Sequence, residues 1–455
     1  MKEILRDGFS GFSGEFADLR YEIIRSTQIV FRGKDLETAT RTVEQGGGVR
    51  VFNAGSEGFA TFSRPEDIKN ALAEAERLAR ISKPKEEVHL ARVEPVVKDF
   101  LPDIVKDPRK ISLEEKVELI RRYNEIALQG GDKITSTTAV YKDDEVERYY
   151  ISTDGTLVRE VRVYAGIAIS VIAADGSNVQ SAHISFGDQR GYDTVLNRES
   201  DVEEAIKDAL DLLNAEKVDK GTYTVILDPE IAGVFIHEAF GHLSEADHVY
   251  RNEKLKEIMV LGKRFGPDFL NVVDDGSLRG ERGYISIDDD GVLPERTYLI
   301  KNGKLNARLH SRLTASLMNE KPTGNSRALN FQYPAIVRMT NTFIEPQDAT
   351  FEELLDGVEH GLYVVGALGG QTELEMFTFS SKKAYVIENG KIGKMVRDVV
   401  LSGNVFETLM NIDKIGNDLK LHGGLGGCGK GGQYPLPVSH GAPHVRIKNV
   451  VIGGK

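Results

Sequence analysis

The chain has 455 residues, 40% of them hydrophobic and 28% charged, with a formal net charge of −12. That length holds two or three domains and a sizeable core, and the acidic balance argues against general electrostatic attraction to nucleic acid or an anionic membrane. The lone cysteine, Cys428, excludes an intrachain disulfide. The first residues, Met-Lys-Glu-Ile-Leu-Arg-Asp-Gly, lack the apolar region of a secretory signal, and the most apolar run, 166–174, is far too short to span a bilayer. A cytoplasmic protein is the expectation.

Residues 1–60 read as strands joined by turns. Arg20–Phe31 and Thr40–Arg50 carry β-branched residues in loose alternation, and Gly46-Gly-Gly48 marks a turn or a strained crossing. Glu66–Ile81 has helical periodicity, with Ile68, Ala71, Leu72, Ala75 and Leu78 on one side. Lys83–Arg109 contains Pro84, Pro95, Pro102 and Pro108 and reads as an irregular connector with a short strand at most. Ser112, with Glu115 three residues on, predicts a capping box for a helix to about Leu128. From Ile134 to Gly187 the pattern is a meander of four strands separated by Asp143-Asp144, Asp154-Gly155 and Asp175-Gly176. Ser200–Lys217 is a further helix. The whole reads as α+β, with an N-terminal antiparallel sheet and helices over 1–218 and a mostly β domain over 219–455 that carries one notable helix.

In the second half, Tyr298–Leu305 and Tyr385–Ile392 each contain Asn-Gly between apolar residues, which predicts hairpins with type I′ turns. Asp288-Asp-Asp-Gly291 reads as a tight acidic turn without the ligand spacing of an EF-hand. Around Cys428, Gly424 and Gly429-Lys430 approach a phosphate-binding loop. The next residue is Gly431 rather than Ser or Thr, and Pro435 and Pro437 oppose the helix such a loop opens, so the nucleotide reading is rejected.

The notable helix follows the predicted strand Thr222–Leu227. Asp228 caps it, Pro229 suits its first position and Glu230 suits the positive end of its dipole. It contains His237, Glu238 and His242 in the order HExxxH. Two imidazoles with an adjacent carboxylate are the parts of a metal-dependent hydrolase, two ligands and a general base. Residues five apart on a regular helix lie ~140° apart and cannot share an ion. A π-bulge, or a break at Gly241, is therefore predicted between residues 237 and 242. A third ligand is needed. Cys428, flanked by glycines, is a candidate, as is Glu245; otherwise Cys428 is a small buried hydrophobe, and Glu245 and Asp247 orient a histidine or end a solvated helix. His248, His422, His440 and His444 are weaker candidates for the site.

Placed together, His237-Glu-Ala-Phe-Gly-His242, Val272-Val-Asp-Asp-Gly276, Pro322-Thr-Gly-Asn325, Arg338-Met-Thr-Asn-Thr342, Gly416-Asn-Asp-Leu-Lys420 and Cys428-Gly-Lys-Gly-Gly-Gln433 resemble the TldD/PmbA family of metallopeptidases, and within it the TldD branch that carries the metal motif. The resemblance is strong over 220–455 and looser before it. It implies a zinc peptidase of small unstructured or unfolded polypeptides, with His237, His242 and Cys428 holding zinc and Glu238 as base. It also implies a homodimer, or a heterodimer with a PmbA/TldE-like subunit that lacks the motif. Two other classes stay open: a hydrolase with Cys428 as nucleophile, and a non-catalytic peptide-binding subunit.

Overall fold

The structure, a computed structural model, describes residues 1–81, 87–373 and 375–454. Pro84, within the predicted connector, lies outside the described residues. After α1 (Lys2–Asp7), the first half is built on β1 (Phe16–Arg32), β2 (Asp35–Asn53), β3 (Ser56–Phe62), β4 (Val97–Phe100), β5 (Ile134–Ser152), β6 (Leu157–Asp175) and β7 (Asn178–Asp188). These strands form one sheet in the order β3-β2-β1-β5-β6-β4, with β7 also on β6. All pairings are antiparallel except β4 on β6. The helices are α2 (Ile68–Ile81), α3 (Leu113–Leu128) and α4 (Glu199–Asn214), with the Ser112–Glu115 capping box present at the start of α3. The fold class is α+β, as the sequence predicts.

One predicted turn, and one stretch read as a turn or a strained crossing, lie mid-strand. β5 runs unbroken through Asp143-Asp144, so the meander has three strands rather than four. Asp143 accepts from the Tyr141 hydroxyl at 2.6 Å and from buried Lys116, and Asp144 accepts from Ser26 on β1. Those partners satisfy carboxylates that local preference would place at a bend. Gly46-Gly-Gly48 lies inside β2, where the Phe331, Phe62 and Phe59 rings occupy the space that Cβ atoms would fill. The glycines mark close approach rather than reversal.

Alternation along β1, β2 and β5 separates two faces. Ala17, Leu19, Tyr21, Val49, Val51, Tyr149 and Ile151 form an apolar face under α2. Asp18, Arg20, Glu22, Arg50 and Arg148 form the other, which is also buried. What covers it is the predicted acidic turn. Asp289 lies 3.3 Å from Arg20 and 3.2 Å from Arg148, and Asp290 lies 2.7 Å from Arg50. Backbone N–H groups of Ala328 and Arg312 complete these carboxylates at 2.7 and 2.8 Å. Asp288-Asp-Asp-Gly291 is the predicted turn, and it serves as a buried clasp between the two halves of the molecule.

The chain crosses into the second half at β8 (Glu216–Lys217), which pairs with Val396–Arg397. β9 (Gly221–Leu227) lies between His360–Glu373, parallel to it, and Val445–Gly454, antiparallel. The row continues through Val399–Asn404 to Met376–Glu388, which pairs back onto His360–Glu373 and closes a ring. Both predicted Asn-Gly hairpins are present, with φ of 51° and 74° at Asn302-Gly303 and 50° and 73° at Asn389-Gly390. α5 (Pro229–Ile236) packs between this ring and a second sheet that contains Asn341–Ile344, Ser439–Ala442 and Lys420–His422.

The clasp predicts a pH signature. Burial opposes ionisation of Asp289, but Arg148 and Arg20 overcome it and hold its carboxyl below the usual range. A depressed folded pKa stabilises the fold above the unfolded value, about 3.9 for Asp, and the contribution disappears as pH falls through the folded value. Asp289→Asn is expected to cost about 3–5 kcal/mol at neutral pH by leaving two buried guanidinium groups short of a partner. In urea unfolding the gap from the parent chain should hold constant down to about pH 4 and narrow below it.

Candidate functional site

The turn after α5 decides the site. Asp228 accepts from the Ile231 N–H at 2.9 Å and caps the helix as its sequence predicts. Over His237–Gly241 the helix widens to a π turn, in which the backbone N–H of His242 reaches the carbonyl of His237. This is the predicted bulge. It brings the two imidazoles onto one side, with ring centroids 5.4 Å apart and planes at 83°. Gly241 has ordinary helical angles, φ −57° and ψ −54°, so it is not a break. Its role is space, because a Cβ there would run into Met339 Sδ.

Cys428 arrives from nearly two hundred residues away, on the strand Cys428–Lys430 of a hairpin with Gln433–Leu436. No helix follows the Gly-rich stretch, in keeping with the rejected nucleotide loop. The Cys428 Sγ lies 3.4 Å from His242 Nε2, and one donor atom from each of His237, His242 and Cys428 falls within 4.8 Å of the others. Donors on one tetrahedral zinc, at Zn–N of about 2.0–2.1 Å and Zn–S of about 2.3 Å, stand roughly 3.3–3.6 Å apart. The set fits such an ion. Burial by itself would raise the Cys428 thiol, yet His237 and His242 hold it well below its ordinary value, which favours the thiolate a metal requires.

Around these donors lies a supporting set. Glu245, fully buried, meets His242 Nδ1 at 3.0 Å and Lys430 Nζ at 3.1 Å. Burial opposes its ionisation, but His242 and Lys430 pull its pKa down to about 2. Burial opposes a charge on His242, but Glu245, which accepts the Nδ1 proton, and Cys428 hold its pKa well above the ordinary value; a bound ion would take Nε2 in place of its proton. Lys430 also holds Asp247 at 2.7 Å and the Val337 carbonyl at 2.9 Å. Glu245 and Asp247 thus support the site from behind, rather than capping a solvated helix end. The local pattern contains no sign of Lys430, because its partners lie more than 90 residues away.

Glu238 Oε2 stands 3.9 Å from His242 Nε2 and lines a cavity of about 540 Å³ together with His237 and Cys428. The cavity lies between the two halves. One wall is His183–Phe186 of β7, and the other includes Ala367–Gly369 with Gly423, Gly424, Gly426 and Gly427. A Cβ at Gly423 would strike the Gly187 carbonyl, so the loop carrying Cys428 lies directly on β7. Of the four weaker histidine candidates, His422 and His440 line this cavity as a cross-strand pair. Burial and then His237 and His422 keep His440 neutral. His444 is elsewhere, held by Asp418 and Tyr363 at 2.6 and 3.0 Å. His248 is exposed.

Glu245→Gln removes the charge that orients His242. The expected result is a metal affinity about 10–100-fold weaker, read by competition with a chromophoric chelator, with the far-ultraviolet dichroism unchanged.

Residues 220–454 match the PmbA/TldA metallopeptidase C-terminal domain, 106–224 the central domain and 17–79 domain 1 of the same family. The chain is 43% identical to a metalloprotease of Synechocystis sp., covering 97% of this chain and 95% of that one. It is 29% identical to a zinc metalloprotease TldD homolog of Saccharolobus solfataricus, covering 96% of each. The crystal structure of TldE from Thermococcus kodakarensis superposes with a TM-score of 0.78 over the full length of both chains at 18% identity, and so shares the fold. Among the described residues no helix is long and apolar enough to cross a membrane. With its three domains matched in order and close relatives that are metalloproteases, the chain belongs to the PmbA/TldD metallopeptidase family.

Proposed function

We propose that this metallopeptidase is a zinc enzyme that hydrolyses small unstructured or unfolded polypeptides in the cytoplasm. His237, His242 and Cys428 hold the ion, and Glu238 is the general acid–base. The observation that carries the reading is the convergence of those three donors within 4.8 Å beside Glu238, in the wall of a cavity. When bound there, zinc supplies Lewis acidity that lowers the pKa of water and polarises a carbonyl. The protein's own residues do the rest. Glu238, open to the cavity, takes the proton of the attacking water and returns it to the leaving amine. Glu245 holds His242 in one tautomer throughout, and Lys430 keeps Glu245 charged.

Substrate enters as an extended chain. β7 is hydrogen-bonded to β6 alone among the described strands, so its other edge is free beside the cavity. A peptide added there would bond through its main chain and need little particular sequence, which suits unfolded substrates. Along α5, Glu230 lies two helical turns, about 10 Å, before His237, and pairs with Lys382 at 2.8 Å on the cavity wall. That pair places charge about three extended residues from the scissile bond. The working unit is a dimer, with a second copy or with a TldE-like subunit.

One observation favours a second reading. Glu245, His242 and Cys428 also form an acid–imidazole–thiol series, at 3.0 and 3.4 Å, that would serve a cysteine hydrolase. Two variants and two inhibitors separate the readings, including that of a non-catalytic subunit. Glu238→Gln should keep one zinc per chain by metal analysis while turnover of an unfolded peptide falls about 10²–10⁴-fold. Cys428→Ser should lose the metal. Chelation should abolish turnover, and added zinc should restore it. Activity that survives chelation but not thiol alkylation would assign Cys428 as nucleophile.

A further inference from the structure

The strand Ser439–Ala442 runs directly along α5. A Cβ at Gly233, one turn before His237, would meet the Gly441 backbone nitrogen at 2.6 Å. The second sheet fixes the strand's register, with His440 opposite Thr342 on one side and His422 on the other. That register sets the His440 ring between two imidazoles. Its centroid lies 6.4 Å from that of His237, with planes at 65°, and 6.2 Å from that of His422, with planes at 21°. His440 lines the same cavity as His237, Glu238 and Cys428. It is not one of the donors that converge within 4.8 Å, so it stands beside the ligands rather than among them.

Among the described residues no protein group hydrogen-bonds this ring, and its Nε2 is buried without a partner. A neutral imidazole carries one N–H and one lone pair. A buried N–H without an acceptor is the rarer of the two kinds of orphan. The lone pair therefore belongs on Nε2 and the proton on Nδ1, the nitrogen left to the cavity. We propose that His440 is a catalytic residue whose Nδ1–H donates to the oxygen of the scissile carbonyl as that oxygen gains charge. The inference deepens the peptidase reading above and rests on it. Water adds to the carbonyl carbon, the π pair of the carbonyl moves onto oxygen, and Glu238 takes the water proton. His440 donates a hydrogen bond to that oxygen and keeps its own proton. The oxygen's pair then re-forms the carbonyl, the C–N pair leaves with nitrogen, and Glu238 hands its proton to the amine. A donor pinned between two rings on a strand needs no rearrangement as the charge develops. Tyr434 lines the cavity too, but at 64% exposed it lacks that support.

The test uses the zinc-loaded full chain, an unfolded peptide substrate, and the same peptide with a phosphinic group in place of the scissile amide. The anionic oxygens of that group imitate the tetrahedral state. His440→Phe keeps a ring and removes the N–H. It should retain one zinc per chain and a KM within about threefold of the parent, while kcat falls about 10²–10³-fold. The phosphinic peptide should bind more weakly by the same factor as kcat/KM falls. His440→Asn, whose amide N–H stands close to the Nδ1 position, should recover much of both. Zinc lost from His440→Phe would make the residue a support for the ligands and overturn the donor role. So would a zinc-replete His440→Phe that keeps kcat, or one that loses kcat without loosening the phosphinic peptide. A fall that follows Tyr434→Phe instead assigns the donor to Tyr434 and overturns it as well. Failure of the peptidase reading itself is seen in the parent chain, as turnover that survives chelation or is absent, and takes this inference with it.

Discussion

One backbone hydrogen bond, closed a residue later than a helix normally closes it, organises the site. The His242 N–H reaches the His237 carbonyl, and the π turn it makes rotates two imidazoles that a regular helix would hold on opposite sides into one edge-to-face pair. Such a turn is costly in isolation, and here packing determines it. α5 is pressed between a closed ring of strands and a second sheet, and Met339 occupies the space beside Gly241. The widened turn is thus held from both sides before any ligand arrives.

Electrostatics completes what the backbone begins. Cys428, His242, Glu245 and Lys430 form a largely buried series, thiol to imidazole to carboxylate to ammonium, at 3.4, 3.0 and 3.1 Å. In a low-dielectric setting such a chain holds its members in the protonation states their neighbours demand. The thiol is held toward thiolate and Glu245 is held ionised. The same logic joins the two halves of the molecule. Arg20, Arg50 and Arg148 on three neighbouring strands take Asp289 and Asp290 from the other half, and this contact sets β7 against the loop of Cys428. The cavity exists because those two bodies meet with glycines between them.

On the reading proposed above, that arrangement suits a peptidase for chains without structure. The donors and Glu238 lie in the wall of a cleft rather than at a surface. A free strand edge beside them offers hydrogen bonds to any main chain.

What the sequence by itself determined was everything governed by neighbours within a few residues. The Asp228-Pro229-Glu230 cap, the Ser112–Glu115 box, both Asn-Gly hairpins and the necessity of a bulge between His237 and His242 follow from bonds that span at most five positions. The family resemblance added Cys428, which spacing had left undecided between ligand and packing residue. The tertiary structure alone decided what distant partners control. Asp143-Asp144 and Gly46-Gly-Gly48 have the composition of turns, yet they lie mid-strand because Lys116, Ser26 and three phenylalanine rings reach them from elsewhere. Asp288-Asp-Asp-Gly291 reads as a tight acidic turn, which it is, but nothing local shows that it is a buried clasp. The alternating face of Asp18, Arg20 and Glu22 has the pattern of a solvent surface but lies inside. Lys430 and the His422–His440 pair join the site only through strand pairings and contacts across the fold. In each case the physical reason is the same: local preference states how a residue bends its own backbone, whereas burial and ionisation depend on what the rest of the chain brings against it.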